Sequence, residues 1–244
     1  GSTGSRIHVF KFQSYVSNDS LILEDSYFKS IKPGLSSYAK SPKLAAESLE
    51  PLLRHAKKYV PKHLWSSTPL ALKATAGLRL LPQKASDNIL AEVKKLFESY
   101  PFDLSADGVS IMKGDDEGLF SWFTVNFLND NFNELSKTVG VLDLGGGSTQ
   151  ITFIPKATEL LQYQGHPHIV HRKLFGDQIT IYTHSYLGLG MMSARFQILG
   201  GTEQTKSRWH LCNKEVKNLI SKYKIDKSFS IQNSEFYAIS YFFD

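Results

Sequence analysis

The chain has 244 residues, of which 41% are hydrophobic, 12% aromatic and 21% charged, which is typical of a globular protein and excludes a disordered or collagen-like chain. No run of about 18 apolar residues occurs, so the sequence predicts no membrane-spanning helix. The net charge of +5 arises from lysines and arginines scattered along amphipathic segments, which does not favour a nucleic-acid-binding surface.

The hydrophobic period alternates between two and about 3.6 along the first half of the chain, which is typical of an α/β protein. Helices are expected to begin at Ser41-Pro42 and at Ser86-Asp87, where a capping side chain precedes an apolar stripe. Pro51 is expected to kink the first of these helices. Alternating or continuous apolar runs predict strands at residues 7–12, 70–76 and 109–112.

The second half continues this alternation. Residues 118–128 have helical spacing, and the nearly continuous apolar run at 139–144 is of the kind found in buried strands. Further strands are expected at 151–154, near 169–175 and at 178–182, and a helix at 214–223. We expect residues 236–244 to be an unfinished core segment, and we divide the chain into two α/β lobes, 1–114 and 115–244.

One glycine-rich turn occurs twice. Residues 1–7 (GSTGSRI) parallel residues 145–151 (GGGSTQI), and each copy leads into an alternating strand. Glycines let backbone N–H groups turn towards an anion, and the hydroxyls add donors, so each turn is a candidate phosphate cradle. A plain hairpin turn is the alternative for either copy alone, but the duplication, with Asp143 ahead of the second copy, favours the cradle. The pattern is neither a Walker A loop nor a Rossmann fingerprint, to which Gly188-Leu189-Gly190 has only a passing likeness.

The segment Asp115-Asp116-Glu117-Gly118 lies between a predicted strand and a predicted helix. One interpretation is an acidic helix cap, because negative charge stabilises a helix N-terminus. The other is catalytic, because Glu117 and Asp143 would together take a proton from water and hold a hydrated divalent cation if their turns faced one cleft. The segment Lys73–Arg79 also has two interpretations. It is either a helix cap with a surface arginine or a turn that presents a hydroxyl and a cation to a ligand.

The histidines predict no site of their own. His166, His168 and His171 are expected on different faces of a strand and not as metal ligands. His184 and Ser185 are strand neighbours whose side chains point apart, so they are not expected to form a nucleophile pair.

Four stretches, in order, resemble the apyrase conserved regions of the GDA1/CD39-type nucleoside triphosphate diphosphohydrolases. They are residues 1–9 (GSTGSRIHV), 74–81 (ATAGLRLL), 116–128 (DEGLFSWFTVNFL) and 142–150 (LDLGGGSTQ). Residues 182–190 (YTHSYLGLG) and 236–238 (FYA) are similar to those of the soluble, lumenal or secreted type 5 and type 6 members, which prefer nucleoside diphosphates such as UDP and GDP.

The resemblance implies an actin-like, RNase H-type (ASKHA) pair of α/β lobes with the nucleotide between them. It implies that Glu117 is the general base that deprotonates the attacking water, and that Ser148 helps to place this water. Asp143 and Thr75 would hold waters around Ca²⁺ or Mg²⁺. The two turns would line the phosphates through Ser2, Thr3, Gly4, Gly145, Gly146, Gly147 and Ser148, and the further motif residues are Arg79, Trp122 and Gln150.

The activity implied is metal-assisted, in-line hydrolysis of the terminal phosphate of nucleoside diphosphates, with triphosphates used less. The resemblance also implies a location in the endoplasmic reticulum or Golgi lumen, or secretion, and the sequon Asn18-Asp19-Ser20 suits such a chain. We expect a monomer that binds a nucleoside diphosphate or triphosphate and no nucleic acid.

The chain departs from the family pattern in three places. It opens at Gly1 without the preceding strand and aspartate, it lacks a cysteine-containing stretch near residues 205–207, and it ends short, so we expect a member truncated at both ends. Its single cysteine, Cys212, excludes an internal disulfide framework and a cysteine-based zinc site, and resembles a half-cystine whose partner lies in the missing stretch. Two other hypotheses about its function stay open. The chain is a non-catalytic or weakly active fragment of such an enzyme, or it is an actin-like ATP-binding kinase or ATPase.

Overall fold

The computed structural model describes residues 3–15, 20–156, 165–174, 176–199, 209–223, 225 and 235–243. The chain divides into two compact units, Gly1–Met112 and Lys113–Asp244. Over the described residues, the helices are too short or too polar to cross a membrane.

The first unit contains two small sheets and the helices that pack on them. Its strands are β1 (Ser5–Tyr15), β2 (Ser20–Ile31), β3 (Leu72–Ala74) and β4 (Val109–Ile111), and its helices are α1 (Pro42–Glu47), α2 (Glu50–Tyr59), α3 (Ala76–Arg79) and α4 (Gln83–Glu98). Strands β1 and β2 form an antiparallel hairpin, whereas β3 and β4 pair in parallel. The main apolar core of this unit lies around α1 and α4, with Ala45, Leu53, Ile89 and Val93 almost completely buried.

Helix α2 is held against the β1–β2 hairpin by apolar and polar contacts. Ala56 and Val60 pack against Ile7 of β1, and Tyr59 donates a hydrogen bond of 2.5 Å to Asp25 of β2. This hydrogen bond lowers the pKa of the Asp25 carboxyl, because it stabilises the charged form.

Two features of the first unit differ from the sequence-based expectation. The expected capping of α4 by Ser86-Asp87 is wrong: the helix begins at Gln83, directly after Pro82, and the Ser86 hydroxyl donates to the Gln83 carbonyl within the first turns. Strand β2 was not expected at all, because its apolar residues do not alternate strictly and the hairpin carries an irregularity between Lys11 and Phe12.

Where Pro51 was expected to kink one helix, the structure has an interruption just before it and two separate helices. The apolar stripe that follows Ser41 is divided into α1 and α2, and Pro51 occupies the second position of α2, where its missing N–H costs nothing.

The second unit is a five-stranded mixed sheet with a long helix packed on it. Its strands are β5 (Gly140–Leu144), β6 (Ser148–Phe153), β7 (Ile169–Leu174), β8 (Asp177–Leu187) and β9 (Phe236–Ser240), and its helices are α5 (Gly114–Leu128), α6 (Met191–Ile198) and α7 (Trp209–Lys222). The strand order is β7-β8-β6-β5-β9, in which β9 runs parallel to β5 and the other neighbours are antiparallel. Residues 236–240 of the expected core segment therefore form an edge strand, and α6 is a helix that the sequence did not predict.

Helix α5 lies unusually close to strands β6 and β8. A Cβ atom at Gly118 would come within 2.6 Å of Thr152 Oγ1 and 2.8 Å of Thr183 Oγ1. These two hydroxyls are buried and hydrogen-bonded to each other at 2.9 Å, and Thr183 Oγ1 also donates to the Asp115 carbonyl at 3.2 Å. The first turn of α5 is thereby fixed to the sheet. Farther along the helix, Trp122 anchors the apolar core against Val141, Ile179 and Ile181.

We expect Gly118→Ala to lower the free energy of unfolding by about 1–3 kcal/mol, because the added methyl group overlaps two buried hydroxyls and the helix must move outwards. Chemical unfolding followed by circular dichroism measures the change. Thr124→Ala, on the exposed side of the same helix, is the matched control and should alter stability by less than about 0.5 kcal/mol. Equal stability of the Gly118→Ala variant and the unsubstituted chain would contradict the close approach.

Candidate functional site

The side chain of Gln150 joins the polar residues at the centre of the second unit. Its Nε2 lies 2.8 Å from Ser148 Oγ, 2.8 Å from Ser185 Oγ and 3.4 Å from Glu117 Oε2. Gln150 is 2% exposed, so these contacts occur where water competes little. The structure thus brings together the two residues expected to act on the attacking water, Glu117 and Ser148, through a third motif residue.

Strand geometry accounts for this grouping. Ser148 and Gln150 are two residues apart on β6, so both project from the same face of the sheet. Gln150 is paired across the sheet with Ser185 of β8 on one side and Asp143 of β5 on the other. Glu117 reaches the same face from the first turn of α5, which the glycine next to it allows to approach.

The turn between β5 and β6 is held by its carbonyl groups. Gly188 and the first three residues of α6 donate to all three carbonyls. Met191 N–H binds the Gly145 carbonyl at 2.9 Å, Met192 and Ser193 N–H bind that of Gly146 at 3.0 Å, and Gly188 N–H binds that of Gly147 at 2.8 Å. Gly190 packs directly on the turn, since a Cβ there would lie 2.4 Å from the nitrogens of Gly147 and Ser148.

These contacts determine where the amide groups of the turn point. In a planar trans peptide the C=O and the following N–H point in opposite directions. Because the carbonyls of residues 145–147 face Gly188 and the first turn of α6, the N–H groups of Gly146, Gly147 and Ser148 face away from these residues. In the described part of the chain, no acceptor engages the amides of Gly146 and Gly147. Successive outward N–H groups form the kind of concave surface that binds phosphate.

Asp143 lies at the end of β5, before this turn, and both of its carboxylate oxygens accept hydrogen bonds. Ser121 of α5 donates to Oδ2 at 3.0 Å and Ser240 of β9 donates to Oδ1 at 2.7 Å. The described residues contain no group of three or more histidine, cysteine or acidic side chains that would enclose a metal ion. One oriented carboxylate does suit a hydrated Ca²⁺ or Mg²⁺, which keeps several waters and is held in part by substrate phosphates.

The remaining expected site residues belong to the first unit. Thr75 follows β3 and accepts the backbone N–H groups of Leu78 and Arg79 through its carbonyl, at 3.0 and 3.3 Å. Arg79 donates a hydrogen bond from its Nη1 to the Met112 carbonyl at 2.8 Å. Gly4 abuts the hairpin, since a Cβ there would lie 2.7 Å from the Ile31 carbonyl oxygen. Thr3 is described in the turn before β1, whereas Ser2 lies outside the described residues.

Trp122 is a structural anchor in the second unit. It is 1% exposed and packs edge-on against Phe132 at 5.5 Å between ring centroids. Its contacts are those of a core residue, and they hold α5 against the sheet.

Four residues at this site were not expected from the sequence: Ser121, Ser185, Gly190 and Ser240. Gly190 belongs to the tripeptide that only weakly resembled a nucleotide-binding motif, and its function here is to permit backbone contact. The serines reach the site through strand and helix pairing, which no short motif reveals. The expectation that Ser185 and His184 point apart is confirmed, because His184 contacts His168 on the other side of β8, with 3.0 Å between their Nδ1 atoms.

Comparisons with known proteins match the chain to one family of nucleotide hydrolases. A profile described as the GDA1/CD39 (nucleoside phosphatase) family matches residues 1–240. The chain is 39% identical over 280 positions to "Ectonucleoside triphosphate diphosphohydrolase 6" of Rattus norvegicus and 38% identical to "Nucleoside diphosphate phosphatase ENTPD5" of Homo sapiens. All of this chain is covered in both alignments, against 61% and 65% of those relatives, so the chain spans less than two thirds of their length.

The fold is supported by a solved structure. The crystal structure of nucleoside triphosphate hydrolases from Neospora caninum is similar with a TM-score of 0.55 and 17% identity, covering 81% of this chain and 44% of that chain. The expected actin-like α/β fold is thereby confirmed.

The alignments also bear on the stretch expected to be missing. They extend over 280 positions, whereas the chain has 244 residues, so each of these relatives has at least 36 positions in the aligned region without a counterpart here. The place of the gap near residues 205–207 stays a prediction, as does the pairing of Cys212.

We expect Gly190→Ala to weaken the binding of inorganic pyrophosphate by at least about tenfold, the loss of one charge-assisted hydrogen bond, because the added Cβ displaces the amides of Gly147 and Ser148. Isothermal titration calorimetry measures the affinity. Gly176→Ala is the control: its Cβ meets nothing within 4 Å, but its φ of +99° makes alanine costly by about 1–3 kcal/mol. A drop in affinity in the control as large as in Gly190→Ala would attribute the effect to general destabilisation.

Proposed function

The chain belongs to the GDA1/CD39 (nucleoside phosphatase) family, and from this premise we propose that it hydrolyses the terminal phosphate of nucleoside diphosphates. The observation that carries the proposal is the contact of Gln150 with both Glu117 and Ser148, directly beside a turn whose amides point outwards. The names of the relatives, a nucleoside diphosphate phosphatase and a triphosphate diphosphohydrolase, support a phosphoanhydride as the bond that is cleaved.

In this proposal Glu117 is the general base. Its carboxylate removes a proton from the attacking water, while Ser148 Oγ, which is held by Gln150 Nε2 at 2.8 Å, fixes the position of that water by a hydrogen bond. Gln150 is held by Ser185 on its other side, so the water-binding groups are preorganised before substrate arrives.

The turn at residues 145–147 is the proposed phosphate site. Its amides donate to the non-bridging phosphate oxygens and stabilise the negative charge that spreads over them as the P–O bond breaks. Their orientation costs no reorganisation during the reaction, because the carbonyls are already bound by the chain from Gly188 to Ser193. Thr3 and Gly4 of the first turn, with Ser2, are the proposed counterparts in the first unit.

Nucleotidases of this family depend in general on divalent cations, and we propose Ca²⁺ or Mg²⁺ here. Asp143 would hold the cation through water in the second unit and Thr75 would do so in the first. When bound, the cation supplies charge neutralisation and orientation of the phosphates.

We further propose the finer properties that the resemblance implies. These are a preference for UDP and GDP over triphosphates, a monomeric state, and a location in the endoplasmic reticulum or Golgi lumen or outside the cell. The name of one relative, a nucleoside diphosphate phosphatase, supports a diphosphate as substrate, and the preference for UDP and GDP comes from the resemblance alone.

We expect the chain to release phosphate from UDP and GDP in the presence of Ca²⁺ or Mg²⁺ and to lose this activity in EDTA. Glu117→Gln should lower kcat by roughly 10²–10⁴-fold, because the amide cannot accept the proton of water. A colorimetric phosphate assay measures both effects.

Asp116→Asn is the matched control, since it removes a neighbouring carboxylate of the same helical turn, which lies 3.9 Å from the Arg172 guanidinium. It should retain kcat within a few-fold. A folded chain that releases no phosphate would favour the non-catalytic fragment, and transfer of the phosphate to a second organic substrate would favour the kinase.

A further inference from the structure

We propose that Ser121 and Ser240 are positioning residues that orient the Asp143 carboxylate towards the divalent cation. The inference rests on the proposed function, because it assigns a purpose to two side chains beside its cation-holding residue. The inference goes beyond the proposed function because the two residues that it names are uncharged and have no assigned contact with substrate. They lie on α5 and β9, the two elements that flank the strand carrying Asp143.

The hydrogen bonds hold the carboxylate from two sides. Ser121, from α5, donates to Oδ2, and Ser240, from the edge strand β9, donates to Oδ1. An ionised carboxylate only accepts hydrogen bonds, so both hydroxyls are the donors. Each oxygen has a second lone pair, and the rotation of the carboxyl group is fixed while these lone pairs stay available to cation-bound water.

The backbone of Ser240 gives a second, independent observation. Its φ is +62°, in the left-handed region, and in the described part of the chain Asp130 is the one other residue besides glycine with a positive φ. Such a conformation is strained for a residue with a Cβ and occurs mostly where the surroundings require it. Here it occurs at the last residue of β9, whose register partner is Leu144, next to Asp143.

The local turn explains how this conformation is maintained. Directly after Ser240, Tyr241 N–H donates to the Leu144 carbonyl at 3.1 Å, and Phe243 N–H donates to the Ser240 carbonyl at 2.9 Å. The chain therefore turns away from the sheet at the residue whose hydroxyl binds Asp143. A glycine would adopt this backbone without strain, so the presence of serine points to the hydroxyl as the reason.

Groups that orient a metal-holding carboxylate affect cation affinity more than folding. Loss of such a partner typically weakens metal binding 10–100-fold. We therefore expect Ser121→Ala and Ser240→Ala each to weaken Mn²⁺ binding by about tenfold or more in the presence of UDP. The readout is free Mn²⁺ measured by electron paramagnetic resonance, which does not depend on turnover.

Three further variants separate positioning from structure. Ser240→Gly removes both the hydroxyl and the backbone strain, so it should weaken Mn²⁺ binding as much as Ser240→Ala does while unfolding at an equal or higher temperature in EDTA. Ser121→Thr retains a hydroxyl and should retain most of the affinity. Ser136→Ala, whose hydroxyl contacts Glu134 away from Asp143, should bind Mn²⁺ like the unsubstituted chain.

The outcomes are distinguishable. Unchanged Mn²⁺ affinity in both Ser121→Ala and Ser240→Ala, with binding by the unsubstituted chain, would overturn the positioning assignment and leave the proposed function standing. Affinity restored to normal in Ser240→Gly would show that strain alone matters, and would also overturn it. No Mn²⁺ binding and no phosphate release by the unsubstituted chain would overturn both proposals together.

Discussion

The chemistry proposed for the second unit depends on how closely α5 approaches its sheet. A helix at an ordinary distance from the sheet would hold Glu117 too far from Gln150. Because Gly118 has no side chain, α5 can approach the sheet closely enough for the two residues to meet. The threonine hydroxyls of β6 and β8 then satisfy each other and the Asp115 carbonyl, so the close contact leaves their polar groups paired. Position and stability are therefore coupled at this point: a bulkier residue that pushes the helix outwards also moves the proposed base.

A second constraint concerns backbone groups. Binding an anion through amides requires the carbonyls of the same turn to be satisfied elsewhere, because a carbonyl directed at a phosphate would repel it. Gly188 and the first turn of α6 meet this need, although these residues are more than forty positions away in sequence. These residues therefore support the proposed phosphate site without facing the phosphate, and the glycine at position 190 is required because the two backbones touch.

The sequence predicted those parts of the fold whose signal is local. Strand β5 is a continuous apolar run, the acidic turn begins α5, and the repeated glycine-rich turn marks where β6 starts. The sequence-based prediction failed where a helix boundary or a contact depends on residues outside the local motif. Helix α4 starts after Pro82 because the proline ends the preceding segment, and this overrides the capping preference of Ser86. The serines around Asp143 and Gln150 come from pairings between α5, β8 and β9, and a pairing between distant segments leaves no trace in a single sequence.

The three hydrogen-bond partners of the Gln150 amide lie at unequal distances. An amide nitrogen carries two hydrogens, yet three oxygens lie near Nε2, the two serine hydroxyls at 2.8 Å and Glu117 at 3.4 Å. The serines are the stronger acceptors by distance, and Glu117 is the weakest of the three for this amide. A firm hydrogen bond to that carboxylate would stabilise its charged form and make it a poorer base. Ser185 therefore does more than anchor Gln150: together with Ser148 it takes both amide hydrogens, which leaves the Glu117 carboxylate for the proposed proton transfer from water.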